Sequence, residues 1–201
     1  MSLEPAAEPT AEPSTPWSPE AFEDRYRRAA DPWDFRSSPY EQDRYDRTVG
    51  ALARSRYRSG FEPACSVGEL TWRLSQRCDH LRAVDVSPTA VAAARELCGG
   101  LDGVEFAVGS VQDDASTGHD LVVFSELGYY FDVDELDAVV DRLTQSMEPG
   151  ADLVACHWLG HSEDHRLHGS TVHERIARHP SLVARLHEDH DRFVLDAWTR
   201  R

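Results

Sequence analysis

Three short segments of this sequence carry residues whose chemistry suits the binding of a nucleotide-like ligand. The first, Glu62 to Gly68, has small residues at alternate positions, namely Ala64, Ser66 and Gly68. Small side chains allow a tight turn and a close approach of the backbone to a ligand. A dinucleotide fingerprint would have glycines at all three positions, and only Gly68 is one. Taken alone, this segment fits a ligand-binding turn and an ordinary strand-to-helix turn equally well.

The second segment ends in an acidic residue at the spacing that ribose recognition requires. Asp85 closes Ala83-Val84-Asp85 and follows Gly68 by seventeen residues. A carboxylate in this position accepts hydrogen bonds from ribose hydroxyls. Asp85 could instead cap a helix that begins near Ser87, but the spacing favours the ribose interpretation.

The third segment joins a polar pair to an aromatic cluster. Its members are Ser125, Glu126, Tyr129, Tyr130 and Phe131. Aromatic rings often wall substrate pockets, and a few convergent polar groups fix the ligand's orientation. Some of these rings would also cover the edge of a sheet. The segment is therefore a candidate substrate site.

An alternation of strand and helix patterns positions the three segments. Strands are predicted at 61–65, 81–85, 104–108, 120–125 and 151–157, with helical patterns between them. This order predicts an α/β fold with an open, mostly parallel sheet, whose ligands bind at the carboxyl ends of the strands. Two closing strands, at 182–187 and 193–199, predict a C-terminal antiparallel hairpin and a seven-stranded sheet.

The chain before the first predicted strand divides into two regions. Residues 1–17 repeat Glu-Pro among Ala, Ser and Thr, a composition that buries little apolar surface, so we expect a disordered tail. Ser18-Pro19 and Ser38-Pro39 each begin a predicted helix. A capping box between Ser38 and Glu41 starts the second helix, which is predicted to end at Gly60. We expect 18–59 to form a helical lid and 60–201 the ligand-binding domain.

Composition limits the class of protein. A chain of 201 residues suits one α/β domain with short additions, and a formal net charge of -15 disfavours nucleic acid as a partner. There is no apolar run of about 18 residues, so we expect no membrane span. Met1 to Thr10 lacks the features of a secretory signal, so we expect a cytoplasmic protein.

No metal site is expected from the cysteines and histidines. The four cysteines have spacings that match no zinc or disulfide framework. The histidines between 158 and 179 lie in a polar, irregular stretch, which we interpret as a solvated insertion with one short helix. They are His161, His165, His168, His173 and His179.

Taken in order, these segments resemble the nodulation protein S (NodS-like) family of S-adenosylmethionine (SAM)-dependent methyltransferases, from about residue 20 to the C-terminus. The matching stretches are Asp31-Pro32-Trp33, Ser38-Pro39-Tyr40-Glu41, 65–71, 83–87, 125–130 and His157-Trp158. The resemblance implies a Rossmann-like class I methyltransferase fold with SAM as cofactor. It also implies a small-molecule acceptor, which is an amino sugar for the founding members.

The resemblance further implies roles for single residues. Those implied to contact the cofactor are Trp33, Tyr40, Glu62, Ala64, Ser66, Gly68, Asp85, Val86, Ser110, Val111 and Ser125. Ala64 stands where the family usually has glycine, and Ser110 stands where it has an adenine-contacting aspartate. Asp113 and Asp114 are candidate substitutes for that aspartate. Trp33 and Tyr40 belong to the predicted lid.

Methyl transfer from a sulfonium needs alignment and a dry pocket more than chemical activation. A neutral amine needs little help, whereas a hydroxyl would benefit from a general base. Glu126 and His157 are the candidate bases, although a histidine that ends an apolar strand is more often structural. Tyr129, Tyr130 and Trp158 are expected to bind the acceptor.

Three alternatives to an N-methyltransferase stay open at this point. One is an O-methyltransferase acting on a small molecule. Another is a SAM-binding module without catalysis, which the substitutions at Ala64 and Ser110 would suggest. The last is a nicotinamide-dependent oxidoreductase, which would need the missing glycines.

Overall fold

The computed structural model describes residues 15–201, so the first fourteen residues of the predicted tail lie outside the described residues. The helices are α1 (Pro19–Arg28), α2 (Pro39–Gly50), α3 (Glu69–Ser75), α4 (Pro88–Leu97), α5 (Val133–Ser146) and α6 (Gly169–Ala177). The strands are β1 (Tyr57–Pro63), β2 (Cys78–Asp85), β3 (Val104–Val108), β4 (His119–Ser125), β5 (Met147–Trp158), β6 (Leu182–Asp189) and β7 (Phe193–Arg200). Across this range, no helix is long and apolar enough to cross a membrane.

The strands form one seven-stranded sheet in the order β3-β2-β1-β4-β5-β7-β6. β1 pairs in parallel with both β2 and β4, and β7 is antiparallel to its neighbours β5 and β6. The predicted parallel sheet with a C-terminal antiparallel hairpin is therefore confirmed. The chain winds outward from β1 to β3 and then returns to the other side of β1. A crevice opens at such a reversal, between the carboxyl ends of β1 and β4.

The centre of the sheet is apolar because helices cover both of its faces. Leu121, Val122, Val123 and Phe124 of β4 are all fully buried. A continuous apolar run, rather than an alternating one, is typical of a parallel strand buried on both sides. The polar pair that follows the run, Ser125 and Glu126, is thereby held at the rim of the sheet.

Ser-Pro pairs begin three helices, as predicted for α1, α2 and α4. The hydroxyls of Ser18, Ser38 and Ser87 accept hydrogen bonds from backbone N–H groups in the first turns of these helices. α2, however, ends at Gly50 and not at Gly60. The helical pattern beyond Gly50 is overridden because Tyr57 pairs with β2 and is only 1% exposed.

A carboxylate fixes α1 onto the rest of the fold. Glu23 accepts hydrogen bonds from the Ser87 hydroxyl at 2.6 Å and from the Thr89 hydroxyl at 2.7 Å, at the beginning of α4. These bonds, with Ser87 first, lower the pKa of Glu23 to about 2. Tyr26, one turn further along α1, is buried against Val67 and Ala90. The N-terminal segment is therefore packed onto the sheet-bearing part of the chain.

We expect Gly68→Ala to destabilise the protein more than Gly100→Ala. Both glycines have left-handed backbones, with φ of 88° and 86°, but a Cβ at Gly68 would lie 2.9 Å from the Cβ of Ala94. A Cβ at Gly100 would meet nothing within 4 Å. The left-handed conformation costs an alanine about 1–2 kcal/mol, and overpacking adds about 1–3 kcal/mol. Urea denaturation of both variants measures the loss in free energy of unfolding. Equal losses would show that α4 can shift to accommodate the added Cβ at no cost in stability.

Candidate active site

A cavity of about 500 Å³ opens where β1, β2 and β4 end, beneath the N-terminal helices. Most of the predicted site residues line it. They are Trp33, Tyr40, Glu62, Ala64, Ser66, Asp85, Val86, Ser110, Val111, Ser125, Glu126, Tyr129, Tyr130 and Trp158. Gly68 and His157 are not among the lining residues.

The turn after β1 uses left-handed backbone at each of the three alternate positions. Ala64 has a φ of 58°, Ser66 of 51° and Gly68 of 88°. The conformation that the fingerprint glycines would allow is thus present although two of the three residues carry a Cβ. A non-glycine residue adopts it at a cost of about 1–2 kcal/mol. Gly68 itself contributes a close contact with α4 and no wall of the cavity.

Glu62 is a carboxyl group buried in the cavity wall. It is 3% exposed, and its Oε2 atom has no hydrogen-bond partner within residues 15–201. Burial raises the pKa of Glu62 to about 8. Burial therefore favours the uncharged form of this carboxyl group, and a cation placed beside it would favour the ionised form.

Asp85 lies on the neighbouring strand end and is 6% exposed. One of its oxygens accepts the Ser66 N–H at 2.9 Å, and the other accepts the Ser87 N–H at 2.9 Å. Burial raises the pKa of Asp85 to about 6, against the effect of these two bonds. Asp85 thus joins the turn after β1 to the start of α4. Each carboxylate oxygen also keeps a second lone pair, which hydroxyls of a ligand can use.

The loop after β3 lines the cavity with Gly109, Ser110, Val111 and Gln112. Neither aspartate suggested as a substitute at this loop reaches the cavity. Asp114 instead bonds to Arg82 and to the hydroxyl of Ser116, which hold its pKa below the ordinary value against the effect of burial. The suggestion that Asp113 or Asp114 replaces the missing acid is therefore wrong.

Glu126 is held at the rim of β4 by three groups. Its Oε1 atom accepts the Trp158 N–H at 2.7 Å and lies 2.5 Å from Nη1 of Arg44, while its Oε2 atom accepts the Tyr129 hydroxyl at 2.8 Å. The backbone of Glu126 is left-handed, with a φ of 54°. A carboxylate with these partners is fixed in orientation and paired with a cation.

Arg44 was not among the residues predicted from the sequence, yet it is 1% exposed and pairs with both Glu126 and Glu41. Glu41 was expected to complete a capping box with Ser38. It bonds to Arg44 instead and lines the cavity, and burial raises its pKa. The one signal in the sequence was the spacing of Glu41 and Arg44, which places the two side chains on one face of a helix.

His157 is fully buried and does not line the cavity, so its assignment as a candidate base is corrected. Its Nε2 atom accepts the Gly128 N–H at 3.0 Å, and its Nδ1 atom lies 3.0 Å from Nε2 of His173. His173 in turn bonds to Asp196 at 2.6 Å. Burial holds the pKa of His157 well below its ordinary value. Its role is structural, since it anchors the 3-10 turn that carries Tyr129.

The stretch from 158 to 179 contributes to the site more than a solvated insertion would. His161 and His165 line the cavity, and the ring of His165 stacks on Tyr129 with centroids 3.8 Å apart. Trp17, which we had placed in the disordered tail, also lines the cavity and lies 5.1 Å from the Arg166 guanidinium. The N-terminal part of the chain therefore contributes to the cavity wall from before residue 18.

We expect the stability of wild type to fall relative to that of Glu62→Gln as pH rises from about 4.5 to about 8. The ordinary pKa of Glu62 is 4.5 and its folded value is about 8, so in this range the folded state binds more protons than the unfolded state. Each pKa unit corresponds to about 1.4 kcal/mol. Urea denaturation of ligand-free protein at pH 5 and pH 9 measures the difference. The exposed Glu96→Gln is the matched control, and parallel pH profiles for all three proteins would contradict the assignment.

We expect Arg44→Met to lower the free energy of unfolding by about 3–5 kcal/mol, because it leaves Glu126 and Glu41 without their buried cation. Arg47→Met is the control, since Arg47 lies on the same helix and makes an exposed pair with Asp43. Losing that pair should cost about 0–1 kcal/mol. Denaturant titration of the two variants makes the comparison. Similar losses would mean that Arg44 is not a buried anchor.

Comparison with known proteins adds an independent line of information. The family model described as Nodulation protein S (NodS) matches residues 20–163. The nodulation protein S of Rhizobium tropici is 30% identical over 63% of this chain and 54% of that protein. The one from Bradyrhizobium diazoefficiens is 31% identical over 62% of this chain and 61% of that protein. The match thus spans little more than half the length of these relatives.

A solved structure matches the fold over nearly its whole length. It is the N-methyltransferase NodS from Bradyrhizobium japonicum WM9 in complex with S-adenosyl-L-homocysteine. Its TM-score is 0.80 at 20% identity, and the match covers 90% of this chain and 98% of that one. The class I methyltransferase fold predicted from the sequence is confirmed by this likeness.

Proposed function

This chain belongs to the Nodulation protein S (NodS) family, and on that premise we propose that it transfers the methyl group of SAM to the amine of a small polar acceptor. The proposed acceptor is an amino sugar or an aminated natural product. The observation that carries the proposal is that two buried carboxyl groups, those of Glu62 and Asp85, line the cavity at the switch point of the sheet. One of them has an oxygen without a partner among the described residues.

The residues that line the cavity fit the parts of SAM. Glu62 suits the ammonium of the methionine moiety, because a cation there would compensate its burial. Asp85 suits the ribose hydroxyls, which can donate to its remaining lone pairs. Ser110 and Val111 lie on the loop that would cover the adenine. When bound, SAM supplies an electrophilic methyl group on a sulfonium.

The left-handed turn after β1 supports cofactor binding in spite of Ala64. The family's usual glycine is absent, but the backbone conformation that it would allow is retained at Ala64 and Ser66. A chain that had lost the need for this turn would be free to relax the strain. The turn therefore supports SAM binding, which an enzyme and a binding module share, and turnover of an acceptor separates the two.

We propose that the segment from Trp17 to 59 closes the cavity from above. Phe22, Trp33 and Tyr40 line the cavity from this side. Glu23 and Arg44 fix the segment to α4 and to β4 respectively. An apolar cover excludes water, which strengthens the electrostatic contacts inside and prevents hydrolysis.

The acceptor end of the cavity supports a polar, cationic substrate. Tyr129, Tyr130 and Trp158 offer faces on which a sugar ring can stack, and Glu126 is oriented to accept hydrogen bonds from hydroxyls. Carboxylates outnumber guanidinium groups in the lining, which favours the approach of an ammonium. Because Glu126 is already paired, we assign it the positioning of the acceptor in preference to proton transfer.

We expect SAM to stabilise the protein and D-glucosamine to be methylated in preference to N-acetyl-D-glucosamine. At about 100 times the dissociation constant, SAM should add about 2.7 kcal/mol of stability, which raises the melting temperature. The acetylated sugar keeps the hydroxyls but lacks a basic nitrogen. Release of S-adenosylhomocysteine, followed by mass spectrometry, measures transfer to each sugar.

Two controls define the outcomes. NADP⁺ should leave the melting temperature unchanged, and Glu62→Gln should weaken the shift caused by SAM while leaving the fold intact. Equal turnover of both sugars would identify a hydroxyl as the acceptor and replace the N-methyltransferase assignment. The absence of any shift with millimolar SAM would overturn the cofactor assignment.

A further inference from the structure

An amine acceptor must lose a proton before it can react. At neutral pH an aliphatic amine is largely an ammonium, which has no lone pair with which to attack a methyl group. A base near the acceptor would therefore help, and neither residue suggested by the sequence is suited to that role. His157 is buried behind the cavity wall, and Glu126 is paired with Arg44.

The other carboxylates at this end of the cavity also have partners. Asp164 pairs with Arg25 at 2.6 Å, and Glu135 pairs with Arg166 at 2.5 Å. Glu41 bonds to the buried Arg44. Each of these carboxylates is thus already engaged in an ion pair with a guanidinium.

Two imidazoles remain, those of His161 and His165. Within residues 15–201, neither has a ring nitrogen in a hydrogen bond. His161 is exposed, whereas His165 is half-buried and stacked on Tyr129, with interplanar angle 16°. The hydroxyl of that same Tyr129 bonds to Glu126. His165 is therefore held beside the group that we assign to acceptor positioning.

We propose that His165 takes the proton that the acceptor's ammonium must lose before methyl transfer. The inference rests on the proposed N-methyltransferase function. It assigns the proton transfer to His165 because Glu126 is paired with Arg44 and His157 does not line the cavity. A histidine is the usual group for this task, because its ordinary pKa lies near physiological pH.

The proposed step transfers one proton to His165 and one methyl group to the acceptor nitrogen. A ring nitrogen of neutral His165 binds one proton of the ammonium, which leaves a lone pair on the acceptor nitrogen. That lone pair forms the new C–N bond as the C–S bond of the donor breaks, and the electron pair of the broken bond stays on sulfur. The product leaves as a secondary ammonium, and His165 returns its proton to solvent on the exposed side of the insertion.

The surroundings of His165 favour its neutral form. Burial lowers its pKa below the ordinary 6.5, although Asp164 and Glu126 act in the opposite direction. A neutral imidazole is the form that can accept a proton. The titratable and charged groups that face it are Asp164, Glu126, His161, Arg25, Tyr129 and Tyr130.

The test uses the full chain with SAM and D-glucosamine as substrates. His165→Phe keeps a ring that can stack on Tyr129 but has no nitrogen, and His165→Ala opens space for a free imidazole. We expect both to lower kcat/KM about 100-fold, a typical contribution of a general base. Added imidazole should restore at least about a tenth of the loss in His165→Ala and none in His165→Phe. His80→Gln, which changes an exposed histidine of β2 outside the cavity, is the matched control and should stay within about threefold of wild type.

A second readout is independent of turnover. In NMR spectra of the complex with S-adenosylhomocysteine, the imidazole signal that is missing from His165→Phe should titrate at a lower pH after D-glucosamine is added, because the ammonium donates a hydrogen bond to the neutral ring and its charge disfavours protonation of that ring. Melting shifts with S-adenosylhomocysteine should be equal in all variants, which shows that the cofactor end is intact.

The outcomes separate the inference from the function on which it rests. A wild-type enzyme that methylates D-glucosamine, with His165→Phe and His165→Ala equally active, would overturn the role of His165 alone. Loss of activity without imidazole rescue and without the NMR shift would make His165 a packing residue and also overturn the inference. A wild-type protein with no turnover would overturn the proposed function first.

Discussion

The buried guanidinium of Arg44 is the constraint on which the site depends. It lies at 1% exposure between carboxylates from two parts of the chain, Glu41 in α2 and Glu126 at the end of β4. A charge in such a place must be paired, because an uncompensated buried ion costs several kcal/mol. Helix α2, the rim of the sheet and the turn that carries Tyr129 are therefore tied to one another through a single side chain.

Several features of the candidate site lower the stability of the ligand-free protein, and packing in the rest of the fold compensates for them. Glu62 and Asp85 are buried with raised pKa values, and Ala64, Ser66 and Glu126 have left-handed backbones. Each of these features costs stability in the ligand-free protein. The apolar run of β4 from Leu121 to Phe124, with helices on both faces, holds them in place. These strained and buried polar groups are concentrated at the rim of the sheet, around the cavity.

The polar interior behind the cavity serves a different purpose. His157, His173 and Asp196 form a buried chain of hydrogen bonds that ends at the backbone N–H of Gly128. A Cβ on Gly128 would lie 2.4 Å from a methyl carbon of Val172, so the turn has little room to move. This chain fixes the wall that carries the aromatic rings, and it explains why a histidine at the end of an apolar strand need not take part in chemistry.

Much of the site could be predicted from the sequence because the fold places strand ends together. The β-α alternation predicted the sheet, and residues such as Glu62, Asp85, Ser110 and Tyr129, chosen at strand ends and loops, line one cavity. Two kinds of error arose. The end of α2 was misplaced because pairing of Tyr57 in the sheet overrode a helical pattern. The role predicted for His157 was wrong because a sequence does not show whether a side chain at a strand end faces the cavity or makes its hydrogen bonds in the protein interior.

What the sequence determined by itself is local: the Ser-Pro helix starts, the continuous apolar strands and the order of elements all follow from short-range preferences and burial periodicity. What only the tertiary structure decided is which charged groups find each other. Arg44 meets Glu126 across 82 positions of the chain, Glu23 meets Ser87, and His165 comes to lie on Tyr129. Coulomb and hydrogen-bond energies depend on distance and burial, and for residues far apart in sequence both are set by packing rather than by spacing along the chain.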